Sequence, residues 1–359
     1  MPLRVAVLGA GVVGVCTSIE LRRDGHDVTL VDPQEPGGPH AASYGNAGWL
    51  SPASVVPLSM PGLWRRVPGM LTDPLGPLTI RWSALPRLMP WLLRFLHSGA
   101  TVARVEATAR ALRPLLASAP DLHVALASAA GVPDLICRNG LLYAFPQKAD
   151  FDAEALAWRL RQDNGVVWEE LEGDALRLVS PALADRYRFG ALVRAGGHCR
   201  DPGRYVAALA KYAESLGVRR VKASATGFDL HGSRLRRALI AGGAVECDRA
   251  VISAGIWSLS LAHKAGDRPS LTTERGYHVV VGDPGVDFPV PVQPSDRRVG
   301  ITPTTFGLRA AGQVELDTID VPPDWRRAEN LLRNLQAACP VVPTRAPPTT
   351  WMGHRPSTP

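Results

Sequence analysis

Three glycines near the start of the chain recur with a spacing that can support chemistry. Gly9, Gly11 and Gly14 follow the apolar run "RVAVL" in the pattern GxGxxG. The first permits a tight turn, the second lets backbone amides approach a pyrophosphate, and the third lets a helix pack closely on a strand. The helix N-terminus would add partial positive charge. The predicted contacts to such a diphosphate are Gly9, Ala10, Gly11, Val13 and Gly14.

The sequence around these glycines predicts the strands and the helix that must position them. The stretch "RVAVLGAGVVGVCTSIELRRDGHDVTLVD" predicts a strand, a helix that ends near Asp24-Gly25, and a second strand that ends at Asp32. Asp32 lies eighteen positions after Gly14 and can accept hydrogen bonds from ribose hydroxyls. An acid at this place favours FAD or NAD over a cofactor with a 2′-phosphate.

The residues after Asp32 favour FAD. An NAD domain would continue with another helix and strand, but "PQEPGGPHAASYGNAGWLSP" has no helical period. Its glycine, proline, asparagine and serine content would equally suit an ordinary surface loop. We interpret it as a loop that lies against a flavin ring system. The predicted flavin contacts in it are Ser43, Asn46, Ala47 and Gly48.

Composition excludes several other classes. The net charge is +7, but only four of the 40 basic residues are lysine and no nucleic-acid-binding motif accompanies them. The five cysteines have no CxxC spacing, which indicates a reducing compartment, and the histidines form no metal-ligand motif. No apolar run approaches the roughly 18 residues of a membrane span. We expect a cytoplasmic protein without metal or nucleic acid.

Beyond the first unit, scattered segments resemble one family. "GAGVVG", "VTLVD" and "SYGNAGWLSP" are followed by "DRAVISAGIWS", "ERGYHVVV", "GITPTTFGLRAAGQVEL" and "GHRPSTP". In this order they resemble the D-amino-acid dehydrogenase branch of the FAD-dependent amine and amino-acid oxidoreductases, which includes glycine oxidase and sarcosine oxidase. Family members continue past the last signature with a further strand, a flavin contact and a closing helix. The resemblance therefore implies either a fragment or a truncated chain.

The resemblance implies site residues and a reaction. Arg355 would clamp a substrate carboxylate, and Gly255 would lie beside FAD. Tyr277 and His278 would border the substrate pocket; because strand side chains alternate, we expect one of them, Tyr277, to point inward. A D-amino acid or related amine would lose its α-hydrogen as hydride to the flavin. The resulting imino acid would hydrolyse to a 2-oxo acid and ammonia, with a quinone or oxygen as electron acceptor.

The expected fold is α/β: a Rossmann-like FAD-binding domain with a second α+β substrate domain built on an antiparallel sheet. The FAD-binding domain would be discontinuous, with residues 1–80, 197–262 and 345–359. The substrate domain would comprise residues 81–196 and 263–344.

Residues 85–99, "LPRLMPWLLRFLHSG", predict an amphipathic helix. It would either pack on the core or give peripheral contact with the inner membrane. Two other functions stay open at this point: an NAD-dependent dehydrogenase and an inactive binding protein left by truncation.

Overall fold

The structure, a computed structural model, describes residues 1–65, 67, 69, 76, 78–232, 234–343 and 347–359, apart from the side chain of Trp82. The α-helices are α1 (Val12–Arg23), α2 (Leu85–Ser98), α3 (Val102–Leu116), α4 (Ala119–Ala129), α5 (Lys148–Asp152), α6 (Ala155–Asp163), α7 (Gly173–Val179), α8 (Pro202–Ser215), α9 (Ser258–Ala265) and α10 (Arg326–Ala338).

The strands in chain order are β1 (Arg4–Leu8), β2 (Asp27–Asp32), β3 (Trp49–Leu50), β4 (Leu78–Ile80), β5 (Ile136–Cys137), β6 (Leu141–Phe145), β7 (Glu169–Glu172), β8 (Phe189–Val193), β9 (Gly197–Cys199), β10 (Arg219–Lys222), β11 (Ala225–His231), β12 (Arg234–Ile240), β13 (Gly243–Glu246), β14 (Arg249–Ile252), β15 (Thr272–Val281), β16 (Val292–Pro294), β17 (Val299–Thr304), β18 (Gly307–Leu316) and β19 (Thr349–Ser357).

The first unit is a parallel sheet with strand order β10-β2-β1-β14. Its central strands are apolar on both faces because both faces are covered. Val5 and Val7 pack with α1 and α8 on one side, and Ala6 and Leu8 pack toward the antiparallel sheet β11-β12-β13 on the other. The predicted Rossmann-like unit is therefore confirmed.

Helix α8 returns the chain to this sheet and packs on it beside α1. Asp201 caps its first turn by accepting a hydrogen bond from the Arg204 amide at 2.9 Å, and Pro202 occupies the first turn. Gly217 follows the helix with a positive φ of 96°, which a glycine adopts without strain. Strand β10 then joins β2 in parallel.

The second unit is a large, mostly antiparallel sheet with the order β19-β15-β18-β17-β16-β6-β8-β7, to which β4 adds beside β18. One face of β15, β17 and β18 packs on α10 through Val279, Leu308, Ala310, Leu331 and Leu335. The opposite face looks toward the loop of residues 39–48. This sheet, with the helices around it, matches the predicted α+β unit.

Two segments lie elsewhere than predicted. The terminal strand β19 was expected in the FAD-binding unit, but it pairs with β15 over nine residues of the large sheet, from Thr349 to Ser357. Likewise β4, assigned to the first unit by the 1–80 boundary, pairs with β18. The predicted boundary at 344/345 lies outside the described residues. No helix among the described residues is long and apolar enough to cross a membrane.

Glycine 14 offers a test of the first unit. A Cβ added there would lie 1.8 Å from the carbonyl oxygen of Gly9, so α1 could not keep its distance from β1. We expect Gly14→Ala to lower the free energy of unfolding by about 3 kcal/mol, because overpacking against backbone outweighs the gain in helix propensity. Denaturant unfolding measures the change. Gly243→Ala is the control, since no atom lies within 4 Å of its added Cβ; equal stability of both variants would contradict this packing.

Candidate active site

The glycine-rich turn joins β1 to α1 with almost no free space. Gly9 has a φ of 111°, and a Cβ there would lie 2.5 Å from the carbonyl oxygen of Ser253, in the turn after β14. At Gly14 an added Cβ would lie 1.8 Å from the carbonyl oxygen of Gly9, so α1 also packs directly on this turn. Side chains are therefore excluded at both positions, and the backbone of residues 9–14 is left available for a ligand.

The end of β2 is tied to this turn. Asp32 accepts hydrogen bonds from the Ala10 amide at 2.8 Å and, with its other oxygen, from the Gln34 amide at 2.8 Å. A carboxylate can accept about four hydrogen bonds, so both oxygens can still accept from ribose hydroxyls. The Ser43 hydroxyl lies 3.4 Å from the Val12 amide, which brings the predicted loop contact to the start of α1.

The turn after β14, which contains Ser253, lies beside the glycine-rich turn that joins β1 to α1. The Ser253 hydroxyl donates toward the carbonyl of Gly9 at 3.1 Å. Gly255 follows with a φ of 57°, and no atom lies within 4 Å of an added Cβ, so this position opens on free space. Val13 is 63% exposed at the first turn of α1. Of the predicted contacts, Asp32 and Ser43 thus lie next to the backbone of residues 10–12.

The loop of residues 39–48 lies between the two units. Gly48, with a φ of 80°, has its Cβ position 2.5 Å from the carbonyl oxygen of Cys199. The Asn46 side chain accepts a hydrogen bond from the Gly48 amide at 2.8 Å, which makes a local turn. Asn46 and Ala47 then face Gly276 and Gly312 of the large sheet across a cavity of about 120 Å³.

Arg355 points into this cavity from β19. It lies opposite Glu274 in the ladder, and its Nε is 2.7 Å from where a Cβ of Gly276 would be. Its Nε and Nη2 are buried and have no hydrogen-bond partner. Burial lowers the pKa of this guanidinium, while the carboxylate of Glu274 opposes that shift. A buried cation with unpaired donors is costly, so this one is suited to an anionic ligand.

The prediction that Tyr277 points inward is wrong. Its hydroxyl donates to Glu315 at 2.7 Å and accepts from the Asp324 amide at 3.0 Å, on the face that packs on α10. Burial, followed by the bond to Glu315, raises its pKa to about 12. Tyr277 still borders the cavity, but its hydroxyl is committed elsewhere. A bulge between Gly276 and Tyr277 interrupts the β15–β18 ladder at this point.

His278 is the residue of the pair that lies on the site face. Its Nδ1 is 3.1 Å from the Gly45 carbonyl, and because a carbonyl oxygen only accepts, Nδ1 carries the proton. Burial, and secondarily the charge of Arg309, lowers its pKa to about 4. The ring is therefore neutral near pH 7. It stacks on Trp351 at 5.1 Å and contacts the loop backbone.

Sequence reasoning missed Arg309 and Trp351. The Arg309 guanidinium donates to the Asn46 carbonyl at 2.6 Å, and the Trp351 Nε1 donates to the Pro39 carbonyl at 2.7 Å. Both lie on the site face of the large sheet. Period-two alternation along "GLRAAG" and "TTWMGHRPS" was the available signal, since it places Arg309 and Trp351 on the same faces as Ala311 and Arg355.

The residues present fit an FAD. Two glycine positions that a Cβ would obstruct leave backbone available at residues 9–14, an acid ends β2, and an unpaired guanidinium lies across a cavity from the loop. Among the described residues, no group of three or more His, Cys, Asp or Glu side chains could hold a metal ion.

Comparison with known proteins decides the family. Residues 4–359 match the DAO family, described as FAD dependent oxidoreductase. The chain belongs to this family. A D-amino-acid oxidase of Bradyrhizobium diazoefficiens is 51% identical over 358 residues, which cover 99% of this chain and 85% of that protein. A D-amino acid dehydrogenase 2 of Ralstonia nicotianae is 30% identical over 379 residues, which cover 99% of this chain and 87% of that protein.

Solved structures agree on the fold of this DAO-family chain. Glycine oxidase from Geobacillus kaustophilus superposes with a TM-score of 0.70 at 21% identity, covering 99% of this chain and 83% of that one. The protein is thus an FAD-dependent oxidoreductase, and FAD is its cofactor. The alternative of an NAD-dependent dehydrogenase is not favoured.

Proposed function

We propose that the protein oxidises D-amino acids at the cavity between Arg355 and the loop of residues 39–48. The observation that carries this proposal is the buried guanidinium of Arg355, with two unpaired nitrogens above Gly276. A carboxylate offers two acceptor oxygens in the geometry that a guanidinium matches. The names of the two curated relatives, an oxidase and a dehydrogenase of D-amino acids, support the same substrate class.

Bound FAD supplies a two-electron acceptor for the hydride that leaves the α-carbon. The residues of the chain bind and orient the substrate. Arg355 holds the carboxylate, and Gly276 leaves room for its guanidinium. The asparagine and small residues on the other side, Asn46 and Ala47, leave the α-carbon free to approach the cofactor. Holding the substrate in one orientation would lower the barrier because the reacting groups would be ordered before the reaction.

The charge of the site selects the protonation state of the substrate amine. The described residues that line the cavity include one cation and no carboxylate. When the substrate carboxylate pairs with Arg355, none of these lining residues offers a counter-ion to an ammonium group, so the neutral amine is the form that binds. His278 stays neutral and is bonded to the loop, and we assign it no proton-transfer role.

We propose that the cofactor lies along residues from both sides of the opening. The amides of the turn would receive the diphosphate, Asp32 the ribose, and the loop and Gly255 the ring system. The proposed contacts are Gly9, Ala10, Gly11, Val13, Gly14, Asp32, Ser43, Asn46, Ala47, Gly48 and Gly255. In this division the FAD-binding part comprises most of residues 1–80 with 197–262, and the substrate part comprises 81–196 with 263–343 and β19.

Helix α2 supports a proposal of peripheral membrane contact. Trp91 and Leu88 bury one face, and the Trp91 Nε1 lies 3.3 Å from the carbonyl of Ser357. The other face exposes Met89 and Leu93. Arg87 and Arg94 are exposed beside them, and residues 82–105 include no acid. Apolar side chains between arginines suit an anionic bilayer surface.

We propose that the electron acceptor is either oxygen or a membrane quinone. All five cysteines are free, which supports a reducing compartment such as the cytoplasm. A protein in that compartment could meet a quinone at the inner face of the membrane through α2. An oxidase would need no such contact.

The absorbance of the purified protein tests the reaction. We expect flavin bands that D-alanine or another D-amino acid bleaches without oxygen and that the L-enantiomer leaves unchanged. Oxygen consumption against reduction of a soluble quinone then identifies the acceptor. A protein that carries flavin but is bleached by no amino acid would contradict the proposal.

Arg355→Met tests the carboxylate contact. Charged hydrogen bonds are each worth roughly 1.5–3 kcal/mol, so kcat/KM for the D-amino acid should fall about 100-fold or more. Activity on the corresponding primary amine, which lacks the carboxylate, should change much less. Arg236→Met is the control, since Arg236 is exposed on β12. An equal loss for amine and amino acid would mean that Arg355 serves the fold and not the substrate.

Leu93→Glu tests the membrane face. Sedimentation with vesicles of anionic lipid should recover the wild type at low salt, and the variant should remain in the supernatant. Leu122→Glu is matched, because Leu122 is 58% and Leu93 is 59% exposed. If the wild type does not sediment, or if both variants lose binding equally, α2 is not a membrane contact.

A further inference from the structure

A buried arginine outside the carboxylate contact holds the loop of residues 39–48. Arg309 is 2% exposed on β18. Its Nη1 donates to the Asn46 carbonyl at 2.6 Å and lies 3.4 Å from the Tyr44 carbonyl. Its Nε is buried without a partner. Burying a guanidinium for two carbonyl contacts costs free energy, so a packing role alone is a poor explanation.

Two aromatic side chains from neighbouring strands hold the same loop. His278 on β15 donates from Nδ1 to the Gly45 carbonyl, and Trp351 on β19 donates from Nε1 to the Pro39 carbonyl. Their rings stack at 5.1 Å with 20° between the planes. The carbonyl groups of residues 39, 44, 45 and 46 therefore all contact nitrogen donors on three adjacent strands of the large sheet.

The strands that hold the loop also hold the carboxylate contact. Arg309 pairs with Val280 in the ladder between β18 and β15, and Arg355 pairs with Glu274 in the ladder between β19 and β15. Both guanidinium groups thus project from one rigid sheet. The distance between the loop and a carboxylate held by Arg355 is therefore set by side chains on three adjacent strands of this sheet.

We propose that Arg309 is a positioning residue, which fixes the loop of residues 44–46 above the large sheet and so sets the distance between the cofactor side of the cavity and the substrate held by Arg355. His278 assists it through the Gly45 carbonyl. The expected effect on catalysis rests on the proposed function. The expected effect on the loop rests only on the hydrogen bonds between Arg309 and the loop carbonyls. Arg309 is not one of the residues that line the cavity beside Arg355.

Hydrogen exchange and steady-state kinetics on Arg309→Lys test the proposal. Lysine keeps the charge but lacks a planar group that spans two carbonyls. We expect amides in residues 40–48 to exchange about tenfold faster in both the apoprotein and the FAD-loaded protein. We expect kcat for the D-amino acid to fall about tenfold while KM stays within about twofold of the wild type, unlike a loss of the Arg355 contact.

Arg177→Lys is the matched control. Arg177 on α7 also donates to loop carbonyls, those of Leu183, Ala184 and Tyr187, but near the opposite edge of the sheet from β19. It should speed exchange only near residues 183–187 and leave kcat unchanged. His278→Phe, which keeps the ring and loses the donor, should reproduce the exchange effect at residues 40–48 to a smaller degree.

Two results would overturn the proposal. One is unchanged exchange at residues 40–48 in both Arg309→Lys and His278→Phe. The other is a fall in kcat in Arg177→Lys equal to that in Arg309→Lys, which would indicate a general loss of stability. If instead wild-type flavin is not reduced by any D-amino acid, the proposed function fails, and the exchange data still decide whether Arg309 holds the loop.

Discussion

The unpaired guanidinium of Arg355 is the constraint on which the arrangement of the site depends. A cation withdrawn from water needs a rigid frame, because otherwise it would turn back to solvent or to a carboxylate. The frame here is the nine-residue ladder between β15 and β19, in which Gly276 faces Gly353 and leaves space over the strand. A side chain at position 276 would displace the guanidinium, whose Nε lies 2.7 Å from the Cβ position.

The same sheet that carries Arg355 also holds the loop on the other side of the cavity. The loop of residues 39–48 belongs in sequence to the dinucleotide-binding unit, but its carbonyls are bonded to β15, β18 and β19. The turn at Gly9 and Gly14 holds the other end of that unit against β14. A cofactor that spans both would therefore be aligned with Arg355 by the contacts between the two units.

Local signals predicted more of this molecule than long-range ones. The strand–helix–strand unit and the loop after β2 were predicted because neighbouring residues determine turns and hydrophobic period. The predicted position of β19 was wrong because the sequence of a strand does not specify which other strand it pairs with. Tyr277 was wrong for a related reason: alternation gives two faces, but which face meets the cavity depends on the pairing of β15 with β18 and β19 and on where α10 packs.

Two arginines on opposite faces of adjacent strands show why the state of Arg355 is informative. Arg275 is fully buried, yet its Nη1 lies 3.1 Å from Glu315, its Nη2 donates to the Val321 carbonyl at 2.7 Å, and Asp317 is close by. Arg355 has no carboxylate within 4 Å among the described residues, and Glu274 opposite it accepts a hydrogen bond from Ser357 at 2.8 Å. Each of these two buried arginines has two nitrogens without a hydrogen-bond partner, but only Arg275 has carboxylates beside it that balance its charge. Packing requirements do not explain that difference, whereas an anionic ligand at the cavity does.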